Sequence, residues 1–337
     1  MKIILDGFGG DNAPLEILKG AADAVAELGV EIRMTGDEQT LRKVAEENGI
    51  SLTGIEFVQA SDVITMEDEP TSILKEKADC SMAVGLRLLR DGGGDAFVSA
   101  GNTGALVVGG TMIVRRIKGV KRPALAPVLP SAKGCFMLLD VGANVECRPE
   151  MLVQFGLMGS LYMKAVMDVE DPVVGLVNIG TEECKGTALQ TESYQLMKKS
   201  GYHFGGNVEA REIPVGEYDV VVADGFTGNV ILKLFEGLSK EIMGQIKGVF
   251  MQNLKTKIAA KMVYSNLRSF KKRMDYTEYG GSPLLGTAKP VFKAHGSSNA
   301  KAIKNAIRQA KVFCEKDVIG KIEAGLAATK AESKPAE

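Results

Sequence analysis

"DVVVADGFTGNVILKLFEG", residues 219–237, begins as a buried strand and ends as a helix. A run that is apolar at every position is covered on both faces, as in a parallel sheet sandwiched between helices. Between strand and helix lies Asp224-Gly225-Phe226-Thr227-Gly228-Asn229, where two glycines let the backbone turn sharply and come close to something. A helix start exposes unpaired N–H groups and partial positive charge, and Thr227 adds a hydroxyl. An oxyanion such as phosphate is the guest this turn suits.

The pattern recurs. "SAGNTGALVVGG" (99–110) also runs strand, turn, helix, and Gly101-Asn102-Thr103-Gly104 matches Gly225-Phe226-Thr227-Gly228. Other polar, glycine-rich strand ends are "DGFGGDNAP" (6–14), "NIGTEECKGT" (178–187) and "KAHGSS" (293–298). Apolar runs predict strands at 2–6, 30–35, 55–58, 95–98, 124–129, 135–141, 173–178 and 218–223. Helical periodicity predicts helices near 14–28, 38–48, 72–90, 103–117, 150–168, 187–199, 226–262 and 297–325. This alternation is that of a three-layer α/β/α protein with a mostly parallel sheet. The organisation expected is a single large α/β domain over 1–327, a basic amphipathic helical excursion near 230–275, and a disordered tail at 328–337. In such sheets ligands bind beyond the carboxyl ends of the strands, so these glycine-rich ends are expected to gather into one site.

Composition narrows the class. The 337 residues are 45% apolar and 25% charged, as in ordinary soluble globular proteins. No apolar run approaches the roughly 20 residues of a membrane span, and "MKIILDGFGG" lacks a signal-peptide core and cleavage site. Cysteines 80, 135, 147, 184 and 314 form no CxxC pair, which points to a reducing cytosol and no structural zinc. The net charge is −1, yet Lys233 to Arg273 holds ten basic and two acidic residues, +8, leaving −9 elsewhere. A basic block on a near-neutral chain suits an acidic protein, an anionic surface, or simply a solvated face. Apolar positions recur within it at 231, 235, 238, 242, 246 and 249, then at 250, 254, 258 and 262. That stripe reads as core or dimer seam, or as a face for an anionic surface or an acidic partner, with Lys255, Lys257 and Lys261 as the contacts.

Familiar cofactor motifs are missing. "GTEECKGT" places Lys185 before the glycine, unlike a P-loop, and Gly7-Phe8-Gly9 is followed by Asn12 rather than completing a dinucleotide fingerprint. No Gly-x-Ser-x-Gly elbow marks a serine hydrolase. Neither cofactor nor metal is expected, and no nucleic-acid partner. Of the two histidines, His295 sits beside Gly296, Ser297 and Ser298 at another potential anion turn, whereas His203 reads as structural. Lys185 follows a buried strand and suits an anion; Asp6, Asp11 and Asp224 sit at strand ends, where they orient donors or cap helices. Cys184 beside Lys185 suggests a thioester nucleophile, but no base accompanies it.

Taken together, "DGFGGDNAP", "SAGNTGA", "RIKGVKRPALAPVLP", "LLDVGANVECRPE", "VNIGTEECKGT", "NVEAREIP", "ADGFTGNVILK" and "YGGSPLLGTAKPVFKAHGSS" resemble, in order and spacing, the PlsX family over residues 1 to about 325. The resemblance implies transfer of a fatty acyl group from acyl carrier protein to inorganic phosphate, giving acyl phosphate that a membrane acyltransferase uses in phospholipid synthesis. It also implies an isocitrate/isopropylmalate dehydrogenase-like, phosphotransacetylase-like fold, a homodimer, and a cytoplasmic, peripherally membrane-associated protein. The chain departs from the family's Asp-Ala-Met-Gly-Gly-Asp-His-Ala-Pro at Gly7, Phe8 and Asn12, and Asn12 cannot shuttle a proton.

The chemistry fits the residue types. Phosphate is itself the nucleophile, and the leaving thiol, with a pKa near 8.5, needs little acid help. The protein must align two anions and steady an oxyanion. Gly101, Asn102, Thr103, Gly104, Gly225, Thr227, Gly228, Ser297 and Ser298 are expected to bind phosphate, with Asp6 and Asp11 nearby; Lys185 and Asn229 to position it or stabilise the oxyanion; His295 to assist proton transfer or bind it; and Asn102, Asn144 and Asp224 to organise the site. The alternatives are a phosphotransacetylase-like acyl-CoA:phosphate acyltransferase, a decarboxylating NAD-dependent dehydrogenase of the same fold group, and a non-catalytic carrier-binding scaffold.

Overall fold

The computed structural model describes residues 1–274 and 279–332; residue 275 of the expected excursion and residues 333–337 of the expected tail lie outside the described part, while residues 328–332 of that tail continue a helix rather than being disordered. Its strands form two sheets. The first contains β1 (Lys2–Asp6), β2 (Glu31–Gly36), β3 (Ile55–Gln59), β4 (Ala96–Ser99), β5 (Ala124–Leu125), β11 (Ser282–Leu285) and β12 (Val291–Lys293), in the order β3-β2-β1-β4-β12-β11-β5. From β3 to β12 all neighbours are parallel, and β11 and β5 close the edge antiparallel. The second sheet has β6 (Val128–Ser131), β7 (Gly134–Leu139), β8 (Val174–Asn178), β9 (Phe204–Glu209) and β10 (Val220–Val222), in the order β6-β7-β10-β8-β9, with only β6 antiparallel.

The strand expected over 124–129 is thus two strands in different sheets. Pro127 lies between β5 and β6; a proline has no N–H for a ladder, and the chain crosses from one sheet to the other there. β9 and β11 fall outside the expected strands because each is interrupted by glycine or proline, whereas the strand end expected at "KAHGSS" is that of β12.

Helices cover the sheets: α1 (Leu15–Leu28), α2 (Glu38–Glu47), α3 (Ser81–Arg90), α4 (Thr103–Gly109), α5 (Pro149–Val166), α6 (Ala188–Met197), α7 (Gly225–Met251), α8 (Leu254–Met262), α9 (Tyr264–Met274), α10 (Ala300–Glu315) and α11 (Val318–Glu332). α1 and α10 pack on each other over the first sheet, while α5 lies across β7 and β10 and carries α6 and α11. β1 and β10 are buried along their apolar lengths, as their unbroken Ile-Ile-Leu and Val-Val-Val runs require. The expected helix over 72–90 is a 3₁₀ turn at Pro70–Leu74 followed by α3, and the long one over 226–262 breaks at Asn253, which caps α8. The three-layer α/β class stands, with its sheet divided in two.

Candidate active site

β1, β4 and β12 are neighbours in the first sheet, so their carboxyl ends release three turns side by side. The first two stack backbone to backbone: a Cβ on Gly9 would lie 2.7 Å from the Gly101 nitrogen and 2.6 Å from Asp6 Oδ2. Asp6 lies beneath them, accepting the hydroxyls of Ser81 (2.6 Å) and Ser99 (2.7 Å). Burial pushes its carboxyl above the usual carboxylate range, against the pull of those two hydrogen bonds. Gly101 N–H donates to Ser99 Oγ, and Asn102 caps α4 by accepting from Ala105 N–H while its amide donates to Thr65 O. The Asp11 N–H donates to Gly296 O, and the Asn12 amide donates to the carbonyls of Ser297 and Ser298, tying the first turn to the third. The start of α10 is satisfied from within: Asn299 caps it and Glu16 accepts the Ala300 N–H. Ser297 and Ser298 therefore do not present an open helix end, and neither lines the cavity described below.

In the second sheet, Asp140 at the end of β7 is fully buried. It accepts the N–H groups of Leu125, Ala143 and Asn144 and the Asn144 amide, which also donates to Pro123 O. α7 starts against this loop. Asp224 accepts both the N–H (2.9 Å) and the hydroxyl (2.7 Å) of Thr227, and Gly225 N–H donates to Asn144 O (2.8 Å). A Cβ on Gly225 would lie 2.4 Å from Asn144 O, and one on Gly228 1.9 Å from Asp140 O. What the turn at 224–229 holds is thus the protein's own 140–144 backbone. The close approach that its glycines permit, expected to serve phosphate, serves packing here, and Asn144 O and the Asp224 carboxylate take the Gly225 and Thr227 N–H groups.

Between the sheets' carboxyl edges lies a cavity of about 460 Å³. Of the residues singled out in the sequence, Asp11, Gly101, Thr103, Gly104, Asn229 and His295 line it. Asp6, Asn102, Asn144, Asp224, Gly225, Thr227 and Gly228 stand outside its lining, supporting the walls. Lys185 is exposed on the loop after β8, its carbonyl bonded to the Asn178 amide, and is not brought in. Lys255, Lys257 and Lys261 are exposed on α8.

Its lining is part apolar, with Leu125, Val128, Leu129, Val141 and Leu232, and part charged. Three ionisable residues there had no assigned role: Lys233, Glu236 and Lys293. Asn229, Leu232, Lys233 and Glu236 follow i, i+3, i+4, i+7 spacing, one face of α7, so the sequence did carry the signal for two of them. Lys233 Nζ pairs with Glu236 at 2.9 Å, and the other Glu236 oxygen lies 3.9 Å from His295 Nε2. His295 Nδ1 accepts the Ser297 N–H (3.2 Å) and lies 2.9 Å from its hydroxyl, which places the ring proton on Nε2. Burial, opposed by Glu236 and helped by Lys233 and Lys293, holds this imidazole below its ordinary pKa, so it is a neutral donor at neutral pH. Lys293 ends β12, nine-tenths buried, with Nζ donating to the carbonyls of Ala100 (3.0 Å) and Ala294. Burial is the main cause that lowers its pKa to about 8.

The chain has known counterparts. Residues 1–321 match the family model described as fatty acid synthesis protein. A phosphate acyltransferase of Alkaliphilus oremlandii is 49% identical over 97% of each chain, and one of Thermoanaerobacterium thermosaccharolyticum 48% identical over 96% of each. Among solved structures, a phosphotransacetylase of Streptococcus pyogenes superposes with a TM-score of 0.64 at 15% identity over 94% of each chain. The EutD phosphotransacetylase of Staphylococcus aureus gives 0.60 at 16%, over 93% of this chain and 94% of its own. These two likenesses concern the fold. The near-full-length match of sequence does more: the chain belongs to the PlsX family, the fatty acid synthesis proteins whose relatives are phosphate acyltransferases.

Proposed function

We propose that this acyltransferase moves a fatty acyl group from the thioester of acyl carrier protein to inorganic phosphate, and that the acyl phosphate feeds phospholipid synthesis. The observation that carries this reading is the cavity's mixed lining, in which apolar side chains able to take the start of an acyl chain accompany Lys233, Lys293 and His295. Phosphate bound at these charged residues has an oxygen free to meet the thioester carbonyl in the same cavity. Two nearby cations, the buried Lys293 and the more exposed Lys233, offset its dianionic charge. The Thr103 hydroxyl and the first N–H groups of α4 add donors at the Gly101–Gly104 turn. Asn229, whose amide lies over Gly142, donates to the oxyanion as the carbonyl becomes tetrahedral.

The deciding assay mixes long-chain acyl carrier protein with phosphate and measures acyl phosphate, with acyl-CoA as the second donor. Faster turnover of acyl-CoA would replace the carrier reading by a phosphotransacetylase-like one. Asn229→Ala is expected to lower kcat about 10²-fold, the scale of a lost oxyanion donor, with Lys185→Ala staying near wild type. The reverse ranking would move the chemistry out of this cavity.

No described helix is long and apolar enough to cross a membrane. α7 nevertheless exposes Phe226, Val230, Leu234, Leu238 and Ile242 at four-residue steps, and α8 adds Leu254, Ile258 and Met262 beside its lysines. This stripe supports a homodimer seam along α7 and contact of α8 with the acidic carrier or an anionic membrane surface. Lys257→Glu with Lys261→Glu is expected to weaken binding to carrier or to anionic vesicles, most at low salt. Unchanged binding to both would leave α8 without that role.

A further inference from the structure

We infer that Lys293 is the proton carrier of the reaction, taking a proton from the phosphate that attacks and delivering one to the thiolate that leaves. The inference rests on the acyl-transfer reading above. When HPO₄²⁻ attacks through a deprotonated oxygen, an O–C bond forms to the thioester carbon and the C–S bond then breaks. The immediate products are a protonated acyl phosphate monoanion and a thiolate. The ammonium of Lys293 gives its proton to the sulfur, and the resulting amine takes the proton from the phosphoryl oxygen. The end products are the acyl phosphate dianion and a thiol, and the lysine is restored with no other reactant.

The geometry favours Lys293 over its neighbours. Two of its three N–H donors are fixed by the Ala100 and Ala294 carbonyls, which leaves the third for the cavity that it lines. Those two carbonyls directly follow β4 and β12, so the nitrogen is anchored between the turn at Gly101 and the turn at His295. His295 is held as the Nε2–H tautomer by the Ser297 N–H, and loss of that proton would leave an imidazolate, so it donates a hydrogen bond but passes no proton. Lys233, with a side chain 61% exposed, is paired with Glu236. Asn229 has no proton to give. The charged groups acting on Lys293 are Asp6 from β1, Asp11 from the following turn and Lys233 from α7, with His295 and Glu236 beyond. Their balance, with burial dominant, sets its proton affinity close to that of an alkyl thiol.

The test uses the full-length protein and a series of long-chain acyl thioesters, from the carrier's alkyl thioester to trifluoroethyl and aryl thioesters, whose thiols are progressively more acidic. Lys293→Arg keeps the charge and loses the proton exchange; Lys293→Met loses both and serves if the bulkier arginine does not fold. Against the expectation that the leaving thiol needs little acid help, either variant is expected to lose about 10²-fold in kcat with the carrier thioester, the lower end of general acid–base catalysis, because the same lysine also takes the proton from the phosphoryl oxygen. The loss should shrink as the leaving thiol becomes more acidic, and the fall of wild-type kcat on the alkaline side should vanish in Lys293→Arg. An equal loss across the series, or an arginine variant with near-normal kcat and the same alkaline fall, overturns the inference. A wild-type protein that makes no acyl phosphate from any donor overturns the acyl-transfer reading itself, a distinguishable failure.

Discussion

Gly228→Ala is expected to cost about 3 kcal/mol of stability, the upper end for an overpacked site, and to remove most of the activity. The added methyl would sit 1.9 Å from Asp140 O and 3.0 Å from its carbonyl carbon, and both are backbone atoms. That backbone cannot yield cheaply. The Asp140 carboxylate holds the N–H groups of Leu125, Ala143 and Asn144, so moving it would break one buried and two part-buried hydrogen bonds at once. α7 must move instead, and α7 carries Asn229, Lys233 and Glu236 into the cavity. A displacement of about 1 Å at such a site is enough for a loss of about 10²-fold. Gly237→Ala is the matched control: it lies on the same helix with nothing within 4 Å of the new methyl. There alanine should gain up to about 1 kcal/mol through helix propensity. Thermal or urea unfolding of the two variants, together with kcat, makes the check. Similar behaviour of both would mean that the helix start is not packed against residues 140–144 as described.

The same glycines show how far a sequence can be read. That strand and helix meet at a turn needing close approach was legible from Val220–Val222, Asp224, Gly225 and Gly228. What approaches was not, because a glycine gives the same signal for a phosphate and for a neighbouring backbone. Only the spatial neighbour of β10, the strand β7 with its Asp140, decides between them, and strand order is not written locally. Asp11, Gly101, Thr103, Gly104, Asn229 and His295 come together because β1, β4 and β12 are adjacent and α7 faces them across the cleft, an arrangement that the rule on strand carboxyl ends anticipates. Lys185 obeys the same rule at the end of β8, yet β8 lies on the far side of β10 from β7, and its loop stays outside the cavity. Lys233 and Glu236 were counted with the basic block; the phase of α7 relative to Asn229 separates them from it. Lys293 closes an apolar strand, and a lysine there reads as a strand end reaching solvent until β4 and α7 are seen to bury it.

The stability of the wild-type protein relative to Lys293→Met is expected to rise with pH, by on the order of 2 kcal/mol between pH 7 and 9.5. The sign follows from where the proton is held. Unfolded, the lysine has its ordinary pKa of 10.5; folded, burial lowers it to about 8. Below about 8 both states carry the proton, and the fold bears the whole cost of a buried ammonium that its two carbonyl partners, Asp6 and Asp11 only partly offset. Between about 8 and 10.5 the unfolded chain binds more protons than the native one, so the wild type gains stability as pH rises through that window. Methionine has nothing to titrate, so the difference between the two urea-unfolding free energies reads residue 293 together with its pull on Asp6 and His295. The lost hydrogen bonds to Ala100 and Ala294 shift that difference by an amount that changes little with pH, and it is the slope that carries the test. Parallel curves from pH 7 to 9.5 would mean that Lys293 keeps its ordinary proton affinity in the fold and that the cavity wall is open to water there. A rising difference, with a methionine variant that folds well at pH 7 yet turns over alkyl thioesters poorly, places the residue among those kept at a cost to stability because the chemistry needs them.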